Sequence, residues 1–187
     1  MLKKNLKYLL LISIIIIFTF QGCSKSGNEA QPYDANTSVP AGNPDFPPLS
    51  DSWVIDKTGV LEPETISKCS QICQELQNDG IAEMVVVIIN GVNDPEKWAT
   101  HYGRWLKLGK KGPSSQGGNN GIVWLIRPDA RGRVTISVGR GLPRFATADF
   151  TAIIDEAIEY INFDNFDKGV IKIVTLTDKR LRELEKE

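Results

Sequence analysis

Apolar and polar positions along this chain fall into three regimes. Leu9 to Phe20 is an apolar run broken only by Ser13 and Thr19. From Ser24 to Ser50 apolar periodicity all but disappears, and Pro32, Pro40, Pro44, Pro47 and Pro48 punctuate Gly, Asn and Ser. From Trp53 onward, short β-branched runs alternate with stretches of helical period. Ser52-Trp53-Val54-Ile55 predicts a short strand. Pro63 suits the first turn of a helix, and Ile66, Cys69, Ile72, Cys73 and Leu76 then repeat at helical spacing. Ala82 to Asn90 is nearly continuous in apolar residues, as a strand buried on both faces should be. Asp94-Pro95 starts a second helix whose apolar side is Trp98, Ala99, Tyr102, Trp105 and Leu106. A Gly-rich loop from Gly109 to Asn120 leads to a strand from Gly121 to Arg127. Pro128 to Gly132 turns it back into Arg133 to Val138, a hairpin. Asp149 to Asn162 carries Phe150, Ile153, Ile154, Ala157, Ile158 and Ile161 on one face, and a fourth helix runs from Phe166 with a charged, frayed end. The order β-α-β-α-β-β-α-α predicts an α/β fold, a three-layer α/β/α sandwich around a small mixed sheet. The sequence contains no internal repeat.

The opening run changes its meaning once its flanks are added. Lys3, Lys4 and Lys7 precede it and Gly22-Cys23 follows it, the order of features in a secretory signal. At roughly 12 residues it falls short of the ~20 that a membrane span needs. Gly22-Cys23 resembles the lipobox of bacterial lipoproteins, which implies cleavage after residue 22 and acylation of Cys23. Phe20-Gln21 departs from the small or Leu-like residues usual there, and a plain signal peptide with a chance cysteine is the competing reading. Residues 23–50 then make a lipidated, disordered tether, since such a composition buries too little apolar surface to offset chain entropy. A coil of ~27 residues spans on the order of 30 Å. The expected organisation is a signal peptide at 1–22, a tether at 23–50 and one domain at 51–187. That domain, of about 135 residues, is the size of one core. It would face a non-cytoplasmic compartment of the cell envelope, held to a membrane by its lipid.

Charge and residue inventory then exclude several chemistries. The full chain has a net charge of −1. Loss of Lys3, Lys4 and Lys7 with the leader leaves 19 basic and 23 acidic side chains, a net −4. Nucleic-acid binding calls for a basic face, and Lys107, Lys110 and Lys111 make only a small solvated cluster. The Gly-rich loop follows a helix and precedes a strand, the reverse of a phosphate-cradling loop. His101 is the only histidine, mid-helix, which leaves no imidazole cluster for zinc. Cys69 and Cys73, at i and i+4 on the apolar stripe, read as two buried free thiols, because an intrahelical disulfide has awkward geometry and a redox pair would be spaced C-x-x-C.

Four segments together carry a family resemblance. Trp53-Val54-Ile55-Asp56-Lys57-Thr58-Gly59-Val60-Leu61 resembles the opening motif of TPM domains. Asn120-Gly121-Ile122-Val123-Trp124-Leu125-Ile126 resembles their "NG" strand, and Arg133 to Leu142 their strand ending in G-x-G-L. Asn165-Phe166-Asp167-Lys168-Gly169 resembles the motif that opens their last helix. The resemblance covers nearly everything from Trp53 onward and implies a divalent-metal site. It also implies either an accessory role beside envelope or membrane proteins, or acid phosphatase activity. The departures bear on that choice. Asn119, Pro143 and Asn165 stand where acidic residues are typical, so three carboxylates are missing. Ca²⁺ and Mg²⁺ take oxygen ligands with carboxylates supplying the charge, so the cation site implied by Asp56, Asn119 and Asn120 should be weak.

Hairpin geometry says which of these can meet. Asn119 and Asn120, at the start of the hairpin, should lie beside the backbone of Gly139, Gly141 and Leu142 at its end, with Gly121 between them. Asp129 sits in the turn, at the far end. Glycines at 139 and 141 allow positive φ or close backbone approach. Whether Asp56 joins this pocket depends on the direction of the first strand. The blander alternative makes Asn120-Gly121 turn chemistry and Asp56 a loop-capping residue. Two functions survive, a membrane-tethered accessory or binding domain with an envelope protein partner and a metal-dependent acid phosphatase, beside the blander option of a structural lipoprotein with no small-molecule site. Phosphoryl transfer needs strong charge neutralisation and an in-line base or nucleophile, which the motifs do not supply, so the accessory reading is preferred.

Overall fold

The computed structural model describes residues 46–49, 51–109 and 119–187. The expected leader, Cys23, the expected tether up to Asp45 and most of the Gly-rich loop, with Lys110 and Lys111, lie outside the described residues. Within them the order is β1 (Val54–Asp56), α1 (Pro63–Asn78), β2 (Glu83–Ile88), α2 (Pro95–Trp105), β3 (Gly121–Ile126), β4 (Val134–Val138), α3 (Thr147–Asn162) and α4 (Phe166–Leu184). No described helix is long and apolar enough to cross a membrane.

The strands form one mixed sheet in the order β1-β2-β3-β4. β1, β2 and β3 are parallel, and β4 returns antiparallel to β3. Every residue of β2 and β3 is buried, which is why their sequences read as continuous apolar runs rather than alternating ones. Their side chains divide by parity. Met84, Val86, Ile88, Ile122, Trp124 and Ile126 join the core shared with α1, α3 and α4. Val85, Val87, Val123 and Leu125 join Ala99 and Tyr102 of α2 on the other face. The result is the expected three layers. The crossovers through α1 and α2 step the same way across the sheet yet lie on opposite faces. They cannot share a hand, so one has the rare left-handed form.

Helix starts follow local chemistry. The side chain of Asp94 accepts from Lys97 N at 3.2 Å, with Pro95 in the first turn of α2. Asp149 reaches back to accept from Ala146 N at 2.8 Å, and Asn165 caps α4 by accepting from Lys168 N at 3.4 Å. On α1 the inner stripe is Cys69, Cys73 and Leu76, all fully buried. Both thiols are free. Burial pushes the Cys69 thiol up to about 11 and raises Cys73 further.

Packing reaches back beyond residue 51, into the segment expected to be tether. Phe46 is only 5% exposed and sits among Trp98, Tyr102 and Trp105 of α2, with ring centroids 5.2, 5.4 and 5.8 Å away. The Tyr102 hydroxyl donates to the Pro47 carbonyl at 2.7 Å. A proline-rich stretch carries no periodicity to announce this, and only the aromatic surplus on α2 gives it a partner.

Candidate functional site

Parallel pairing decides where the sequence-predicted residues lie. Asp56 pairs in register with Ile88, and Ile88 with Ile126, at the carboxyl ends of β1, β2 and β3. Asn119 and Asn120 immediately precede β3, at the amino ends. Asp56 therefore stands at the opposite end of the sheet from both asparagines, and the three do not form one pocket. Asp129, just past β3, shares the Asp56 end.

At the carboxyl ends, where open α/β sheets commonly bind ligands, both carboxylates are already used. Asp56 Oδ1 accepts from Thr58 N, Thr58 Oγ1 and Gly59 N, each at 2.8 Å, and Oδ2 accepts from Leu61 N at 2.8 Å. These bonds shape the turn from β1 into α1, in which Gly59 takes a positive φ of 71°. Burial raises the Asp56 pKa. The bonds from Leu61, Thr58 and Gly59 outweigh that and hold it below the ordinary carboxylate value. Asp129 accepts from Gly91 N at 2.8 Å. Buried Arg127 donates to the carbonyls of Val92 at 3.2 Å and Gly132 at 2.7 Å. Arg133 donates to Ile161 O and Asp164 and lies over the Phe166 ring. Asp129, Arg127 and Arg133 thus fasten one segment to another, while Asp56 holds its own turn.

At the amino ends the hairpin prediction describes the geometry well. Gly141 N donates to Asn119 O at 2.6 Å, and Gly139 N to Gly121 O at 2.8 Å. A Cβ on Gly139 would lie 2.3 Å from Asn119 O, and one on Gly141 2.7 Å from it. Close backbone approach is therefore the need these glycines meet; neither has a positive φ. Leu142 packs from this turn against the main core. Asn120 is 1% exposed and donates to Ile81 O at 3.0 Å and Gly80 O at 3.4 Å, tying down the loop after α1. Its Oδ1 is buried without a hydrogen-bond partner. A carboxylate the motifs did not single out, Glu83, is also buried and accepts from Gly109 N at 2.8 Å. Its signal in the sequence was an acid opening an otherwise apolar strand.

The ligand set implied by the family does not fit one charged cation site. Its carboxylate is engaged by its own turn at one end, and two neutral amides lie at the other. Among the described residues no three His, Cys, Asp or Glu side chains converge on a common point. Asn165, where an acid is typical, is an N-cap, a task Asn performs as well as Asp. His101 is buried at 8% exposure, and burial, followed by the nearby Lys97, lowers its pKa.

Residues 54–180 match the TPM domain. Among solved structures, the chain is similar to the N-terminal domain of a P. gingivalis protein, with 20% identity and a TM-score of 0.56, covering 70% of this chain and 85% of that one. It is also similar to the N-terminal domain of the cg2496 protein of Corynebacterium glutamicum, with 16% identity and a TM-score of 0.53, covering 73% of this chain and 84% of that one. At such identities the likeness establishes the fold alone. No curated protein matches the chain.

Proposed function

Because this chain belongs to the TPM domain family, we propose that it is a membrane-tethered accessory domain of the cell envelope that binds an envelope protein, and that it is not a phosphatase. One observation carries the choice. Asp56, the acid the motifs offer for metal chemistry, has its carboxylate engaged by four hydrogen bonds of the 58–61 loop and stands across the sheet from Asn119 and Asn120. A metal-assisted hydrolase needs its carboxylates converging on one ion with ligand positions free. The tether rests on the basic, apolar leader and on Gly22-Cys23. Assay of the full chain with a phosphate monoester and Ca²⁺ or Mg²⁺ should give no metal-dependent turnover. Robust hydrolysis abolished by Asp56→Asn would overturn the reading in favour of the enzyme. For the tether, Cys23→Ala should move the protein from the detergent phase to the aqueous phase; unchanged partitioning would remove the lipid anchor from the account.

A weak Ca²⁺ or Mg²⁺ site at the Asn119–Asn120 turn is a second, compatible reading. It is favoured by the partnerless, buried Oδ1 of Asn120, since an orphaned amide oxygen is a ligand of the type hard cations take.

A further inference from the structure

The two edges of the sheet differ. β1 is three residues long, and very short edge strands resist pairing with other chains. β4 is five residues long, half-buried throughout, and no described strand pairs with its outer side. Hydrogen bonding fixes what that side presents. Arg127 N donates to Arg133 O, and Gly139 N to Gly121 O. In the β3–β4 register the hydrogen-bonded positions of β4 are therefore 133, 135, 137 and 139. The N–H and C=O groups of Val134, Ile136 and Val138 consequently point away from the sheet. Between Val134 and Val138 there is no charge and no proline, the usual guards of an edge.

Charge along the chain segment that holds the strand is one-sided between Asp129 and Asp149, which bound it. From Ala130 to Ala148 the chain has four arginines and no carboxylate. Arg133 is paired with Asp164, and Arg144 with Glu187. Arg131 and Arg140 are exposed at the two ends of the strand and make no ion pair among the described residues. Arg140 also lies near Arg104, whose pKa is lowered first by burial and then by this like charge.

We propose that the open edge of β4 takes up an extended segment of a partner protein as a fifth strand, with acidic residues at both ends of that segment meeting Arg131 and Arg140. Main-chain bonds to Val134, Ile136 and Val138 supply the affinity, and the flanking arginines select the partner. The inference rests on the accessory reading and deepens it. A second copy of this chain fits worse, because antiparallel β4-to-β4 pairing sets arginines against arginines.

The probe is a set of alternating Thr/Val peptides about nine residues long, carrying Asp, Ser or Lys at both ends and titrated against the full chain in detergent. The Asp-ended peptide should bind at least about tenfold tighter than the Lys-ended one, and salt should weaken it. Arg140→Glu, a surface change, should abolish or invert that preference. Ile136→Pro removes an outward N–H without touching a bond to β3, and should abolish binding while thermal unfolding remains cooperative. Amide exchange at residues 134, 136 and 138 should slow when the Asp-ended peptide is added. The proposal is overturned if no peptide binds, if Asp-ended and Lys-ended peptides bind alike, or if the three amides are unprotected at saturation. A concentration-dependent dimer lost on Ile136→Pro overturns it too, in favour of a second copy. Phosphate-monoester hydrolysis would overturn the accessory reading whatever the peptides do, whereas a chain that neither hydrolyses nor binds peptide overturns only the edge proposal.

Discussion

Asp56 accepts four hydrogen bonds within a single turn of chain, and that sets its job. Asp56→Asn can keep its oxygen at the Oδ1 position with three bonds, but it sets an amide N–H against Leu61 N, so one bond is lost, a repulsion is added and the remaining three lose the help of the charge. With allowance for partial exposure, the substitution should cost about 2 kcal/mol at pH 7. The pH dependence follows from the direction of the shift. Asp56 has a folded pKa below its ordinary 3.8. Its contribution is therefore complete above the unfolded value and is lost as pH falls through the folded one. Urea unfolding of both proteins should show a stability gap that is full at pH 6 and narrows below about pH 4; a gap unchanged at pH 2.5 would contradict this origin. The sequence offered Asp56 as either ligand or loop cap. Only the direction of β1 chose between them, and a three-residue strand carries no periodic signal for its direction. Cys69 and Cys73 were simpler, because helical spacing alone places both on the buried stripe. Both should resist a thiol reagent at neutral pH in the native state and react on unfolding. Rapid native labelling of either would mean that α1 opens.

At the scale of elements, α3 and α4 meet where a side chain cannot fit. A Cβ on Gly169 would lie 2.4 Å from Ile161 Cγ1, deep in the core. Helix propensity predicts that Gly169→Ala stabilises by about 1 kcal/mol. Overpacking against a stiff, β-branched neighbour predicts the reverse, and the contact should win by about 1–3 kcal/mol in net destabilisation. A raised melting temperature for this variant would show that the two helices separate easily. The elements themselves were largely legible, because apolar runs and helical stripes are local properties. β2, β3 and all four helices fall within a few residues of the expected positions. The docking of Phe46 was not legible, since its partners lie on α2, some fifty residues along the chain. The amino-end turn was legible down to its glycines, although they relieve crowding rather than supply positive φ.

For the whole molecule, the account rests on a division of the sheet into two ends. One end holds Asp56, with its carboxylate engaged by its own turn, and the other holds Asn119 and Asn120 beside close-packed backbone, with the buried Glu83 carboxylate engaged by Gly109 N. The motif order in the sequence brought Asp56, Asn119 and Asn120 into one expected set because linear spacing does not reveal which end of a parallel sheet a residue occupies. Calorimetric titration of the full chain with Ca²⁺ and Mg²⁺ tests that division most directly, using wild type, Asp56→Asn and Asn119→Asp. The account predicts weak wild-type binding, with Kd on the order of 10⁻³ M. Affinity should be unchanged in Asp56→Asn despite its lower stability, and tighter in Asn119→Asp, where a carboxylate joins Asn120. Tight binding by wild type that disappears in Asp56→Asn would contradict it, for Asp56 would then be a metal ligand and the two ends would not be separate.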